Sequence, residues 1–266
     1  MSSVHVSKQR LILSGIVMAV VLAGCATRPT RDAIVGSTAG CPAPWSYTGI
    51  TDPSNWSSLS SDYAQCAGPG QSPINIVAYT KMPKPVILTQ YRAVPLIVQN
   101  TSRTFQVGTN QGGSMTRGLS SWTLLQFHFH TPSEHTINGI HAPAELHLVH
   151  TNSYGTIGVI GVLILESDDD NPALANLIAS IPQTMCATSP QNGTIDPTTL
   201  LPSDLDYFLY GGSLTTPPCS TTVSWFVLQH PITASNAQIQ ALSVLGANNR
   251  PIQTNNSSPV LLIGTP

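Results

Sequence analysis

Six of the eight histidines in this 266-residue chain fall between residues 128 and 150. They read His128-Phe-His130, then His135, His141, and Glu145-Leu-His147-Leu-Val-His150. The spacing constrains the fold, because residues two apart in a β-strand share one face. In Leu124-Leu-Gln-Phe-His-Phe-His130, Gln126, His128 and His130 then lie on one face, with Phe127 and Phe129 on the other. The second run places Glu145, His147 and Val149 on one face and His150 on the opposite one. Neutral imidazole is the commonest zinc ligand. Two imidazoles from one strand and a third from its neighbour make three corners of a tetrahedron. The fourth corner stays open, as in catalytic rather than structural zinc sites.

Short β-prone runs surround this region: Val94 to Val98, Thr104 to Val107, Trp122 to His130, Ala144 to His150, Ile157 to Leu165, and Val223 to Leu228. Helix signals are few. Asp52-Pro53 predicts the start of a short helix through Leu59, Asn171-Pro172 caps Ala173 to Ile181, and Ser235-x-x-Gln238 is a capping box for a helix through Leu242. The expected class is mainly β, a single domain with a central, mostly antiparallel twisted sheet and a few short peripheral helices.

Ten Lys and Arg against twelve Asp and Glu leave no basic footprint for nucleic acid. Asp168-Asp-Asp170 reads as a solvated loop before a helix. Residues 1–24 read as a leader. Lys8 and Arg10 open it, and the apolar run Leu11 to Ala23 is too short to cross a bilayer core of about 30 Å as a helix. Leu22-Ala-Gly-Cys25 resembles a bacterial lipobox, which implies acylation of Cys25; an ordinary secretory signal cut near Ala26 is the alternative. Ala26 fits the outer-membrane sorting pattern. The expected location is the periplasmic side of a bacterial envelope, with Cys25 as the membrane anchor. Residues 25–44 are small, polar and proline-punctuated, as in a tether, and residues 45–266 form the domain. Cys41, Cys66, Cys186 and Cys219 suit an oxidising compartment and permit three pairings.

The segments Gln71-Ser-Pro-Ile-Asn-Ile76, Gln126-Phe-His-Phe-His130, Ser133-Glu-His135, Ala144-Glu-Leu-His-Leu-Val-His150, Gly212-Ser-Leu-Thr-Thr-Pro-Pro218 and Val223-Ser-Trp225 occur in that order. With them the chain resembles the alpha class of carbonic anhydrases along nearly all of Trp45 to Gln253. The resemblance implies about ten strands and a zinc ion at the bottom of a cone-shaped cleft, held by His128, His130 and His147. It implies reversible hydration of CO2 to bicarbonate and a proton by attack of zinc-bound hydroxide. Gln126 and Glu145 resemble the side-chain partners of the first and third ligands, and Thr215 with Glu134 matches the gatekeeping pair. Val149, Val159, Leu214, Thr216, Val223 and Trp225 would line the substrate pocket, and Tyr47 matches a tyrosine near the cleft mouth. Thr101 and Gln106 match water-organising positions, and Arg103 stands where many members carry a proton-shuttling histidine. His135 reads as a structural or supporting residue, and His141 and His230 as surface residues. Thr131 replaces a common tryptophan, and Leu242 to Asn248 reads as a shortened surface loop.

The resemblance further implies a Cys66–Cys219 disulfide, which leaves Cys41 with Cys186. Sulfonamides and anions are the inhibitors it implies. Oligomeric state stays open, a homodimer being one arrangement. The rival readings are a catalytically inactive carbonic-anhydrase-like surface binding module and a zinc-storage protein, with esterase action as a side activity of the same site.

Overall fold

The computed structural model describes residues 41–264 apart from 42, 84, 110 and 111; the leader, Cys25 and most of the tether lie outside the described residues. One sheet of twelve strands dominates: β1 (Thr80–Pro83), β2 (Leu88–Tyr91), β3 (Val98–Asn100), β4 (Phe105–Gly108), β5 (Gly113–Arg117), β6 (Ser120–His130), β7 (Ala144–Thr151), β8 (Ile157–Ser167), β9 (Tyr207–Ser213), β10 (Thr221–Leu228), β11 (Ile232–Ser235) and β12 (Leu261–Gly264). Their order is β1-β12-β9-β10-β8-β7-β6-β4-β3, with β11 beside β8 and the β2–β5 pair joined to β6. Among the described residues of this sheet, β8 with β10, β8 with β11, and β12 with β1 run parallel and the other pairs antiparallel. The count is close to the expected ten or so, and several outer members are short. All four residues of β1 are exposed, so no apolar alternation announces that strand.

Alternation along the long strands builds two cores on opposite faces. Leu124, Phe127, Phe129, Leu146, Leu148, Ile160, Val162, Phe226 and Leu228 pack into the larger one. Their neighbours Val149, Val159, Val223, Trp225 and Val227 belong to the smaller one, beside the histidine face. Each fully buried aliphatic or aromatic side chain contributes roughly 1.5–3 kcal/mol. Between Val149 and His150 the register against β6 shifts from Gln126 to Leu124, a bulge at Leu125.

Three local expectations change. The run Val94 to Val98 splits, because Pro95 has no N–H to continue a ladder: Val94–Pro95 pairs with Thr194–Ile195, and β3 begins at Val98. Asp52 accepts from Ser54 N, Ser54 Oγ and Asn55 Nδ2 in a local turn. Helix α1 therefore spans only Trp56–Leu59. Leu242 to Asn248 is not wholly a surface loop, since Asn248 is buried. The other helices keep their signals. Asn171 caps α2 (Pro172–Ala179), and the Ser235–Gln238 capping box opens α3 (Asn236–Leu242).

Both disulfides form, Cys66–Cys219 and Cys41–Cys186, across 153 and 145 residues. On the chain-entropy view each such closure contributes at most about 4–5 kcal/mol. Cys41 and Ala43, placed by sequence in the tether, are thereby held against the domain.

His150 sits on the larger-core face, its Nε2 2.7 Å from Tyr91 Oη and its Nδ1 3.2 Å from Gly158 O. Burial pushes its pKa down to about 3. Below about pH 6.5 the unfolded chain binds a proton there that the folded chain refuses, so stability is lost progressively from pH 6.5 toward 3. Replacing His150 with Gln is expected to weaken the fall in Tm between pH 7 and pH 4, read by circular dichroism. An unchanged pH dependence would contradict this assignment.

Candidate metal centre

β6 and β7 pair so that His147 faces His128, Glu145 faces His130, and Val149 faces Gln126. The cross-strand register therefore gathers the three histidines that strand parity selects. Their rings lie 4.6 to 5.3 Å apart, centroid to centroid. His128 Nε2 and His130 Nε2 approach to 3.1 Å. One ligating nitrogen from each of His128, His130 and His147 lies within 4.8 Å of the others. For Zn–N bonds of 2.0–2.1 Å, tetrahedral corners stand about 3.3 Å apart, so the donor set fits zinc.

The outward-facing ring nitrogens are all taken. His128 Nδ1 meets Gln126 Oε1 at 2.8 Å, His130 Nδ1 meets the Asn248 carbonyl at 2.7 Å, and His147 Nε2 meets Glu145 Oε1 at 2.9 Å. These contacts aim Nε2, Nε2 and Nδ1 at one point and fix each tautomer. Burial lowers all three imidazole pKa values: His128 and His147 below the usual range, and His130 to about 4. They are neutral at pH 7, which is the ligating form. His128 alone of the three is partly exposed.

Glu134 gives the second test of fit. Its Oε1 accepts from Arg250 N at 2.8 Å. Its Oε2 is fully buried without a hydrogen-bond partner, 3.6 Å from His130 Nε2 and 3.9 Å from His147 Nδ1. An orphaned carboxylate oxygen facing the same point as three imidazole lone pairs suits a site built for a cation and its water. Burial raises this carboxyl to about 7, against the pull of His147, Arg250 N and the nearby Thr215 hydroxyl.

Glu145 is the hub of the support. Its Oε2 accepts from Glu134 N and His135 N at 2.9 and 2.8 Å, and its Oε1 from His135 Nδ1 at 2.7 Å as well as His147. Burial opposes its ionisation, yet His135 and His147 outweigh that and hold it well below the usual carboxylate range. His135 Nε2 in turn meets Tyr210 Oη at 2.6 Å. Gly161, opposite His147 on β8, makes room for the hub, since a Cβ there would stand 2.9 Å from Glu145 Oε1. Gly161→Ala is expected to weaken zinc binding at least about tenfold in chelator competition, within the range for supporting residues. Unaltered affinity would show that Glu145 can move freely.

Thr215 is buried near the start of the β9–β10 connection, just after Ser213, and Leu214 and Thr216 beside it are partly buried. Trp225 Nε1 donates to Ser213 O, which anchors this connection over the smaller core. Gln106 on β4 pairs with His128. Tyr47 packs with Trp45 and Trp56, and burial, then the Glu134 charge, raises its pKa. Arg103 sits on the turn between β3 and β4. Its guanidinium grips the Trp45 and Ala43 carbonyls and stacks on Trp45 at 4.6 Å. Thr101 Oγ1 is engaged by Thr104 within the same turn. His141 is exposed, with Nδ1 2.6 Å from Ser133 O.

Sequence reasoning missed Asn248, Tyr210 and Arg250. Asn248 holds His130 through its carbonyl, a group every residue has. Its side chain also ties Arg103 O, Phe129 O and Thr131 N together. Buried Arg250 binds Gln71 Oε1, Ser72 O and Cys66 O. An arginine without a nearby carboxylate in sequence carries no signal of that role.

Fold and donor set define a class: a mainly β protein whose sheet face turns three neutral imidazoles toward one point. Residues 51–260 match the family model described as eukaryotic-type carbonic anhydrase. A carbonic anhydrase of Klebsiella pneumoniae is 39% identical over 222 residues, covering 82% of this chain and 90% of that protein. One from Nostoc is 35% identical over 270 residues, covering 98% and 99%. Among solved structures, the alpha-carbonic anhydrase of Thermovibrio ammonificans with the inhibitor sulfanilamide superposes with a TM-score of 0.79 at 36% identity, over 82% of this chain and 98% of that one. The chain belongs to the alpha carbonic anhydrase family and is an enzyme of that family.

Proposed function

We propose that this enzyme hydrates CO2 reversibly to bicarbonate and a proton at a zinc ion held by His128 Nε2, His130 Nε2 and His147 Nδ1. The carrying observation is the convergence of those three neutral nitrogens, each backed by a partner on its other ring nitrogen. Zinc so held supplies a water whose pKa falls from about 15.7 to about 7, a value known for carbonic anhydrases as a class and not obtained from this chain.

The protein's own groups supply orientation. Glu134, once ionised beside a cation, can only accept, so the Thr215 hydroxyl donates to it. The remaining Thr215 lone pair then accepts only from a group that carries a proton, which selects the ligand and sets its angle. Val149, Val159, Val223 and Trp225, with Leu214 packed against them, form an apolar cluster beside the histidine face, which suits an uncharged substrate. Thr215→Ala is expected to lower kcat/KM about 10²–10³-fold with zinc still bound. A loss below tenfold would remove Thr215 from this role.

Export of the proton is the slow step in this reading. Arg103 stays protonated at any relevant pH, it is committed to the Trp45 and Ala43 carbonyls, and the sequence has no histidine between residues 6 and 127. Stopped-flow hydration is expected to accelerate severalfold as imidazole buffer rises, and a sulfonamide to suppress it. The same rate in dilute and concentrated buffer would contradict the export limit, and indifference to sulfonamide would contradict the site. The leader motif ending at Cys25 supports action at the bacterial cell envelope. The intact site favours catalysis over an inactive binding module.

A further inference from the structure

The two disulfides differ in surroundings. Cys66 and Cys219 are buried, packed with Trp56. Cys41 and Cys186 are partly exposed. Exposed bridges are the ones thiols reach first. The accessible bridge also stands at a mechanical junction. Cys41 Sγ lies 3.4 Å from Thr101 O and 3.8 Å from Ser102 Oγ, against the turn between β3 and β4. On the other side, the strand-like stretch after Cys186 pairs with β3, through Asn100 N to Ala187 O and Ser189 N to Val98 O. That turn carries Arg103, whose guanidinium holds the Ala43 and Trp45 carbonyls and Ser102 Oγ. Trp45 packs edge-on against Tyr47, and Tyr47 lies within reach of the Glu134 charge. On the inner side, Asn248 links the Arg103 carbonyl to His130 Nδ1.

We propose that Cys41–Cys186 is a thiol-opened clasp that holds the Ala43–Tyr47 segment and Arg103 closed over the rim of the metal centre. A small dithiol opens it by exchange. Its thiolate attacks one bridge sulfur to form a mixed disulfide, and its second thiol closes on the first to give the cyclic disulfide. The bridge gains two electrons and two protons as Cys41 and Cys186 thiols, and the dithiol is oxidised. With the bridge open, the 43–47 segment loses its covalent stop, and the Arg103 grip alone must hold it. Only the importance of the rim rests on the proposed zinc site; opening itself can be read without activity.

The test titrates the purified full chain with dithiothreitol, traps thiols by alkylation, and follows brief trypsin cleavage by mass spectrometry. Alkylation of Cys41 and Cys186 is expected at dithiothreitol levels at least tenfold below those that open Cys66–Cys219. Cleavage after Arg103 should rise at least tenfold over the same step, with cleavage after exposed Arg92 unchanged. A variant carrying Cys41→Ser and Cys186→Ser, still folded by Cys66–Cys219, should show the open cleavage pattern without reductant. Simultaneous reduction of both bridges, an Arg103 that stays resistant once Cys41–Cys186 is open, or a parallel rise at Arg92 from general unfolding would each overturn the clasp.

Discussion

His147→Ala is expected to abolish both metal and activity: no zinc after dialysis where the parent holds one, and CO2 hydration lower by at least about 10³-fold. The size follows from what is lost. Without the ion, the reacting water keeps a pKa near 15.7 and hydroxide is scarce at neutral pH. In the proposed site His147 is also the ligand from the second strand, so its removal leaves only the β6 pair His128 and His130, 3.1 Å apart, which offers too few donors for tight binding. His141→Ala is the control, since that residue is exposed and its Nδ1 bonds the Ser133 carbonyl; it should stay within about twofold of the parent. A His147→Ala protein that kept stoichiometric zinc and near-parent turnover would remove these three residues from the site.

The second large effect falls on stability. Glu145 accepts four hydrogen bonds from Glu134 N, His135 N, His135 Nδ1 and His147 Nε2, all in the interior. Glu145→Ala leaves two buried backbone N–H groups and two ring nitrogens without an acceptor. An orphaned buried donor costs about 1–3 kcal/mol, and four donors lose their acceptor at once. The expected loss is roughly 3–6 kcal/mol in urea unfolding, a large part of the 5–15 kcal/mol that typically holds a domain folded. Zinc affinity should fall about 10- to 100-fold in the molecules that still fold. Glu145→Gln keeps an acceptor on one atom and should lie between parent and Ala. A loss below about 1 kcal/mol for Glu145→Ala would mean that water or another group satisfies these donors.

Much of the site was legible because strand parity is a rigid rule. His128, His130 and His147 announce themselves by two-residue spacing inside apolar runs. Gln126 and Glu145 follow from the same parity, since a polar residue two before a strand histidine must share its face. What parity cannot show is a group recruited from far along the chain. Asn248 reaches His130 across 118 residues by a backbone carbonyl, and Tyr210 reaches His135 across 75. Sequence position matches Arg103 to a shuttle histidine that it cannot replace in function, and says nothing of what the side chain does instead. The structure supplies that task, because its neighbours in space are the Ala43 and Trp45 carbonyls. Short elements were legible only where a side chain enforces them: the Ser235–Gln238 box opens α3 where expected, whereas Asp52 caps a turn.

The most direct test is stopped-flow CO2 hydration by the purified protein with its disulfides intact, before metal removal, after it, and after return of one equivalent of zinc. Zinc held by His128, His130 and His147 requires turnover that disappears with the metal and returns with zinc. Hydration that persists without metal, or one bound zinc per chain with no hydration, would contradict it.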